Sequence, residues 1–177
     1  MRKVSPRIGI DIGRVIIAPT QGSEADTAFF NGNLSEAMKT PPNTGAFDAV
    51  KTLVEVFDNQ AWLVSKAGPK MQNKTNQWLW HWDFFKKTNL PMNNIRYCLK
   101  RNEKADHCAD LQINFFIDDR LDVLTHLRGC VPNLYLFGEQ PKLDKIPAWV
   151  THVLNWEETL KIILCDLEKY SKEIKKT

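Results

Sequence analysis

Short apolar runs recur along this chain, and several close on a polar residue. Arg7 to Ile12 sets Ile8, Ile10 and Ile12 around Asp11, Ala61 to Ser65 reads AWLVS, and Asn114 to Asp119 reads NFFIDD. Ile95 to Leu99 and Asn133 to Gly138 are runs of the same kind, and Trp149 to Leu154 is short and extended. Runs that are apolar on both faces suit the central strands of a parallel sheet. The segments between them carry a helical period instead. Gly45 to Phe57 puts Phe47, Val50, Leu53, Val54 and Phe57 on one face. Gly68 and Pro69 open a long helix to about Thr88, with Met71, Trp78, Leu79, Trp82 and Phe85 on its buried stripe. Asn102 to Leu111 is a helix with Asn102 as its N-cap, and Leu121 to Leu127 is a shorter one. Asn155 and Glu158 form a capping box ahead of a last helix, where Leu160, Ile163, Leu164 and Leu167 share a face. This alternation predicts a three-layer α/β sandwich of Rossmann type, with an open, mainly parallel sheet of about five strands.

A chain of 177 residues can bury one sizeable core, so residues 1–177 are expected to form a single domain. Residues 18–44 are rich in Gly, Pro, Asn, Ser and Thr and read as a short loop or flap insert. A short helix or two from Ala25 to Met38 would lie within it, where Phe29 and Phe30 need cover. Lys and Arg number 24 against 21 acids, a balance too even to argue for nucleic acid. The MRKVSPRIG start has too short an apolar run for a signal peptide, and no segment approaches a membrane span. A cytoplasmic protein without a membrane partner is expected. Cys98, Cys108, Cys130 and Cys165 form no CxxC pair, which favours reduced, mostly buried thiols over zinc or disulfides. His107 beside Cys108 lacks companions at ligand spacing. The terminal KYSKEIKKT is polar and expected to fray.

In open α/β sheets ligands bind beyond the carboxyl ends of the strands. Asp11, Ser65, Asp118 and Asp119 all fall at such ends, so parallel strands would gather them at one edge. Carboxylates in that arrangement bind a hard divalent cation, most naturally Mg²⁺. An aspartate beside the cation can attack phosphorus, while a serine hydroxyl and a lysine ammonium hold the phosphoryl oxygens. Lys104 is the leading candidate for that lysine, ahead of Lys100 and Lys66. Arg14 and Arg120 flank the site as phosphate forks or as partners in surface ion pairs. Taken singly, each residue has a plainer reading. Asp11 would cap a turn, Ser65 would end a strand, and Lys104 would be a solvated helix lysine.

Four marks in this order resemble the haloacid dehalogenase superfamily of phosphatases: IDIGRV from Ile10, LVS ending at Ser65, a lysine at Lys104, and FFIDDR ending at Arg120. The resemblance spans about Arg7 to Gly138. It implies hydrolysis of a phosphomonoester, with Asp11 the nucleophile that forms an aspartyl-phosphate. It also implies that Ser65 binds phosphate and that Lys104 steadies both groups. Mg²⁺ would be held by Asp11, the carbonyl of Gly13, Asp119 and Asp118 beside it. Lys66, Arg14 and Arg120 would contact a phosphorylated substrate of unspecified class.

The chain departs from that pattern at two places. The family's first motif carries a second aspartate, the general acid and base, where this chain has Gly13. That loss leaves three outcomes open. Asp118, Asp122 or Lys66 takes over, the leaving group needs little protonation, or the protein is a weak or inactive binding module. The second departure is a minimal cap, which leaves the site open, covered by a flap carrying Phe29 and Phe30, or covered by a partner. The aromatic run Trp78 to Phe85 reads mainly as core, with Trp80 and Phe84 off the stripe and a homodimer face the alternative. An unrelated nucleotide-binding fold is disfavoured, because no glycine-rich phosphate loop follows the first strand.

Overall fold

Six strands pair into one sheet: β1 (Ile8–Ile10), β2 (Ala61–Lys66), β3 (Ile95–Cys98), β4 (Phe115–Asp118), β5 (Asn133–Phe137) and β6 (Thr151–Val153). The computed structural model describes residues 5–19 and 28–174. The MRKV start, the opening of the insert helix expected from Ala25, and the last three residues lie outside that range. Strand order across the sheet is β3-β2-β1-β4-β5-β6, and every pairing is parallel. The expected count of about five strands falls one short. The extended Trp149–Leu154 segment joins the edge as β6, with His152 opposite Leu136.

Eight α-helices are described: α1 (Ala28–Asn31), α2 (Leu34–Lys39), α3 (Ala46–Val56), α4 (Pro69–His81), α5 (Phe84–Thr88), α6 (Lys104–Asp110), α7 (Leu121–Leu127) and α8 (Trp156–Ile174). Strand side chains alternate between two cores, because successive residues point to opposite faces. Phe115, Ile117 and Tyr135 join Val50, Leu53, Trp78 and Ile163 on one face. Phe116, Leu134 and Leu136 join Val123, Leu124 and Leu127 on the other. Gly9 is required by this packing, since a Cβ there would lie 2.4 Å from Phe116 Cδ2.

Several helical details differ from the sequence reading. The long helix expected to Thr88 breaks after His81, where Asp83 turns left-handed at φ 55° and α5 begins. The break turns Phe84 fully inward, so only Trp80 of the two off-stripe aromatics stays exposed, lying against Phe85. Asn102 is not an N-cap. It sits in a short 3₁₀ turn, Arg101–Glu103, whose Glu103 carboxylate instead accepts from the Leu99 and Lys100 amides. Asn155 does cap α8 by accepting from Glu158 N–H, but Glu158 reaches back to Leu154 rather than to Asn155 itself. The polar tail stays helical through Ile174. Cys98 and Cys108 are buried as expected, whereas Cys130 and Cys165 are exposed. No described helix is long and apolar enough to cross a membrane.

Candidate active site

β1 has β2 on one side and β4 on the other, so the chain leaves it in opposite directions across the sheet. That reversal of strand order opens a crevice at the carboxyl ends. Asp11 follows β1, Ser65 lies near the end of β2, and Asp118 ends β4, so the sheet delivers three polar side chains to that crevice. Lys104 reaches them from the first residue of α6.

Contacts among them are short and buried. Ser65 Oγ donates to Asp11 Oδ1 at 2.9 Å, and Lys104 Nζ donates to the same oxygen at 2.8 Å. Lys104 Nζ also donates to Asp118 Oδ2 at 2.6 Å. The Arg120 amide donates to Asp118 Oδ1 at 3.0 Å, so both oxygens of Asp118 are engaged. No hydrogen bond reaches Asp11 Oδ2 or the Asp119 carboxylate among the described residues. Of the two adjacent acids, Asp119 therefore lines the cavity, while Asp118 holds Lys104.

The electrostatics follow from this crowding. Burial opposes the Lys104 ammonium, yet Asp11 and Asp118 outweigh it and hold its pKa above the ordinary lysine value. Burial pushes Asp118 up to about 8 against the pull of Lys104. Burial, reinforced by Asp11, pushes Asp119 up to about 7. Three carboxylates facing one buried ammonium carry surplus negative charge. Asp11, Asp118 and Asp119 each offer an oxygen, and all of these atoms lie within 4.8 Å of one another. That spacing, and the open oxygens of Asp11 and Asp119, fit a divalent cation.

The cluster forms one end of a cavity of about 360 Å³. Arg14, Lys66, Arg120 and Gly13 are among the residues that line it. Phe30 covers Gly13 closely: a Cβ there would lie 3.1 Å from Phe30 Cζ. Phe29 and Phe30, both from the insert, line the cavity, and Phe29 is buried. Lys74 on α4 pins the flap by donating to the carbonyls of Phe29, Phe30 and Gly32 at 3.1, 3.3 and 2.9 Å.

Asp122, a candidate replacement acid, does not line the cavity; it takes the Arg120 guanidinium, with Nε at 3.0 Å and Nη2 at 3.3 Å.

Sequence reasoning missed Arg101, which lines the same cavity and pairs with Asp122 at 3.8 Å. It also missed Asn43 and Trp156. Asn43 Nδ2 donates to the carbonyls of Arg14 and Val15, and Trp156 Nε1 donates to Val15 O at 2.8 Å. These bonds fix the turn after Gly13, in which Arg14 is left-handed at φ 60°. A full amide and a buried indole 141 residues away carry no signal in a local pattern. Comparison with protein-family models and with curated proteins returns no match.

Proposed function

We propose that this chain is a Mg²⁺-dependent phosphatase of the haloacid dehalogenase type, removing a terminal phosphoryl group through an aspartyl-phosphate at Asp11. The observation that carries this reading is the pair of bonds from Ser65 and Lys104 to one oxygen of Asp11. They hold the carboxylate in a single orientation and leave Oδ2 for attack on phosphorus, the positioning that nucleophilic catalysis needs. Lys104, bonded to Asp11 Oδ1, sets a positive charge beside the point where charge builds on the phosphoryl oxygens. The Ser65 hydroxyl lines the cavity and would donate to a phosphoryl oxygen. Asp118 sets the position of Lys104, and Lys66, Arg14 and Arg120 supply charge for the substrate. Asp11 and Asp119, with the Gly13 carbonyl and Asp118 beside them, would hold Mg²⁺, which neutralises phosphate charge and orients the donor.

A second reading is favoured by a specific observation. Gly13 supplies no general acid, and the Phe30 ring stands where such a side chain would project. A protein of this kind could bind phosphorylated ligands and turn them over slowly or not at all.

Fluoroberyllate with Mg²⁺ separates these readings from a purely structural cluster. ¹⁹F resonances of a bound BeF₃⁻ adduct are expected with the natural protein and absent with Asp11→Asn. Turnover of p-nitrophenyl phosphate should fall to background in the same variant. An adduct that survives Asp11→Asn removes the nucleophile from the proposal. An adduct without turnover supports the binding reading.

A further inference from the structure

The cavity walls are rich in cations and poor in proton donors. Arg14, Lys66, Arg101, Lys104 and Arg120 line it, and its only carboxylates among the described residues are Asp11 and Asp119. Lys104 is committed to Asp11 and Asp118. Arg101 and Arg120 share one acid, Asp122, and both guanidiniums remain nearly half exposed. Two guanidiniums on one carboxylate leave a surplus positive charge at that wall, and guanidinium is the side-chain group best suited to receive phosphate.

No histidine, cysteine or tyrosine lines the cavity among the described residues, and position 13 is glycine under a phenyl ring. An ordinary alkylammonium releases its proton too reluctantly near neutrality to act as a general acid. With Asp11 spent as the nucleophile and Asp119 on the cation, an alkyl leaving group would have to depart as an unprotonated alkoxide. A phosphate leaving group has no such need, because it departs as a stable anion.

Resting on the reading of Asp11 as nucleophile, we propose that the substrate is a phosphoanhydride whose leaving phosphate is received by Arg101 and Arg120. Asp11 Oδ2 forms a bond to the terminal phosphorus, and the bridging P–O bond breaks. The electron pair stays on the departing phosphate, which pairs with the guanidiniums and takes no proton. Water then attacks the same phosphorus and the Asp11 Oδ2–P bond breaks. Its electron pair returns to the carboxylate, and the water's proton passes to solvent as inorganic phosphate forms. The roughly 360 Å³ cavity has room for two phosphoryl groups and the start of a substituent.

The test compares inorganic pyrophosphate, acetyl phosphate and ethyl phosphate as Mg²⁺-dependent substrates. Pyrophosphate should exceed ethyl phosphate in kcat/KM by more than ~10²-fold, the scale of missing acid catalysis. It should also exceed acetyl phosphate, whose carboxylate leaving group engages only one fork, and Arg101→Ala should narrow that second gap. A binding readout needs no metal or turnover. In EDTA, calorimetry should show methylenediphosphonate binding more tightly than methylphosphonate, with Arg101→Ala erasing most of the difference. Equal use of ethyl phosphate and pyrophosphate, abolished by Asp11→Asn, would overturn the anhydride assignment and leave the nucleophile standing. Acetyl phosphate as the best substrate would overturn the phosphate leaving group. No turnover of any probe, together with no fluoroberyllate adduct, would overturn both.

Discussion

Lys104 shows how far one residue can carry a site. The residue is 2% exposed, and its ammonium lies between two buried carboxylates at 2.8 and 2.6 Å. Burying such charges is costly, and the cost is met only when every partner is present. Lys104→Met is therefore expected to destabilise the fold by ~3–5 kcal/mol, because it leaves Asp11 and Asp118 facing each other without a counter-charge. Urea unfolding reads this directly, and a midpoint within error of the natural protein would mean the cluster is not held by charge. The residue could be nominated from sequence but not decided, since a lysine opening a helix is ordinarily solvated. Its burial arises from Asp118, whose side chain the sequence cannot distinguish from that of Asp119. Adjacent strand-end residues point to opposite sides, and only the fold assigns one to Lys104 and the other to the cavity.

The elements around the site differ in how plainly the sequence announces them. β1, β2 and β4 are legible because their runs are apolar on both faces, and their polar ends mark the crevice. The break between α4 and α5 is not, because Trp82 and Phe85 both pack on the core as an unbroken helix would have them do. The flap is legible only as two phenylalanines in need of cover. Its α1 spans Ala28–Asn31, too short to persist alone, and Lys74 supplies the tertiary anchor through three carbonyls. This anchoring governs what Gly13 can become. At 3.1 Å from Phe30 Cζ, an added Cβ requires the ring to move by a few tenths of an ångström. Gly13→Asp alone should raise phenyl phosphate turnover little, while Gly13→Asp with Phe30→Ala should raise it toward the ~10²-fold that a restored acid supplies. Steady-state rates of the two variants check this. A double variant no faster than the single one would mean that the ring does not limit the position.

For the whole molecule, the sheet's reversal between β2, β1 and β4 is what turns scattered acids into one centre. Its outcome is a fold that concentrates negative charge where solvation is weakest, and stability must then depend on pH. Asp119 titrates near 7 and Asp118 near 8 in the folded state, both raised by burial, against an ordinary value of about 3.9 in an unfolded chain. Between those limits the folded state binds more protons than the unfolded one, so stability falls as pH rises from about 4 to about 8. Glu103, held low by the Lys100 amide, and Asp122, held low by Arg120 against burial, lose stability only as pH drops below the ordinary carboxylate range. They do not mask this slope. A divalent cation binds the ionised carboxylates and competes with their protons, so its stabilising effect should grow across the same window. Melting temperatures without divalent ions should decline from about pH 5 to about pH 8, and Mg²⁺ should recover several degrees at the alkaline end and little at the acid end. Asp119→Asn should flatten both the decline and the Mg²⁺ response, while leaving the Lys104 ion pairs in place. A Mg²⁺ shift that is equal at both pH values, or unchanged in Asp119→Asn, would place the cation elsewhere on the molecule.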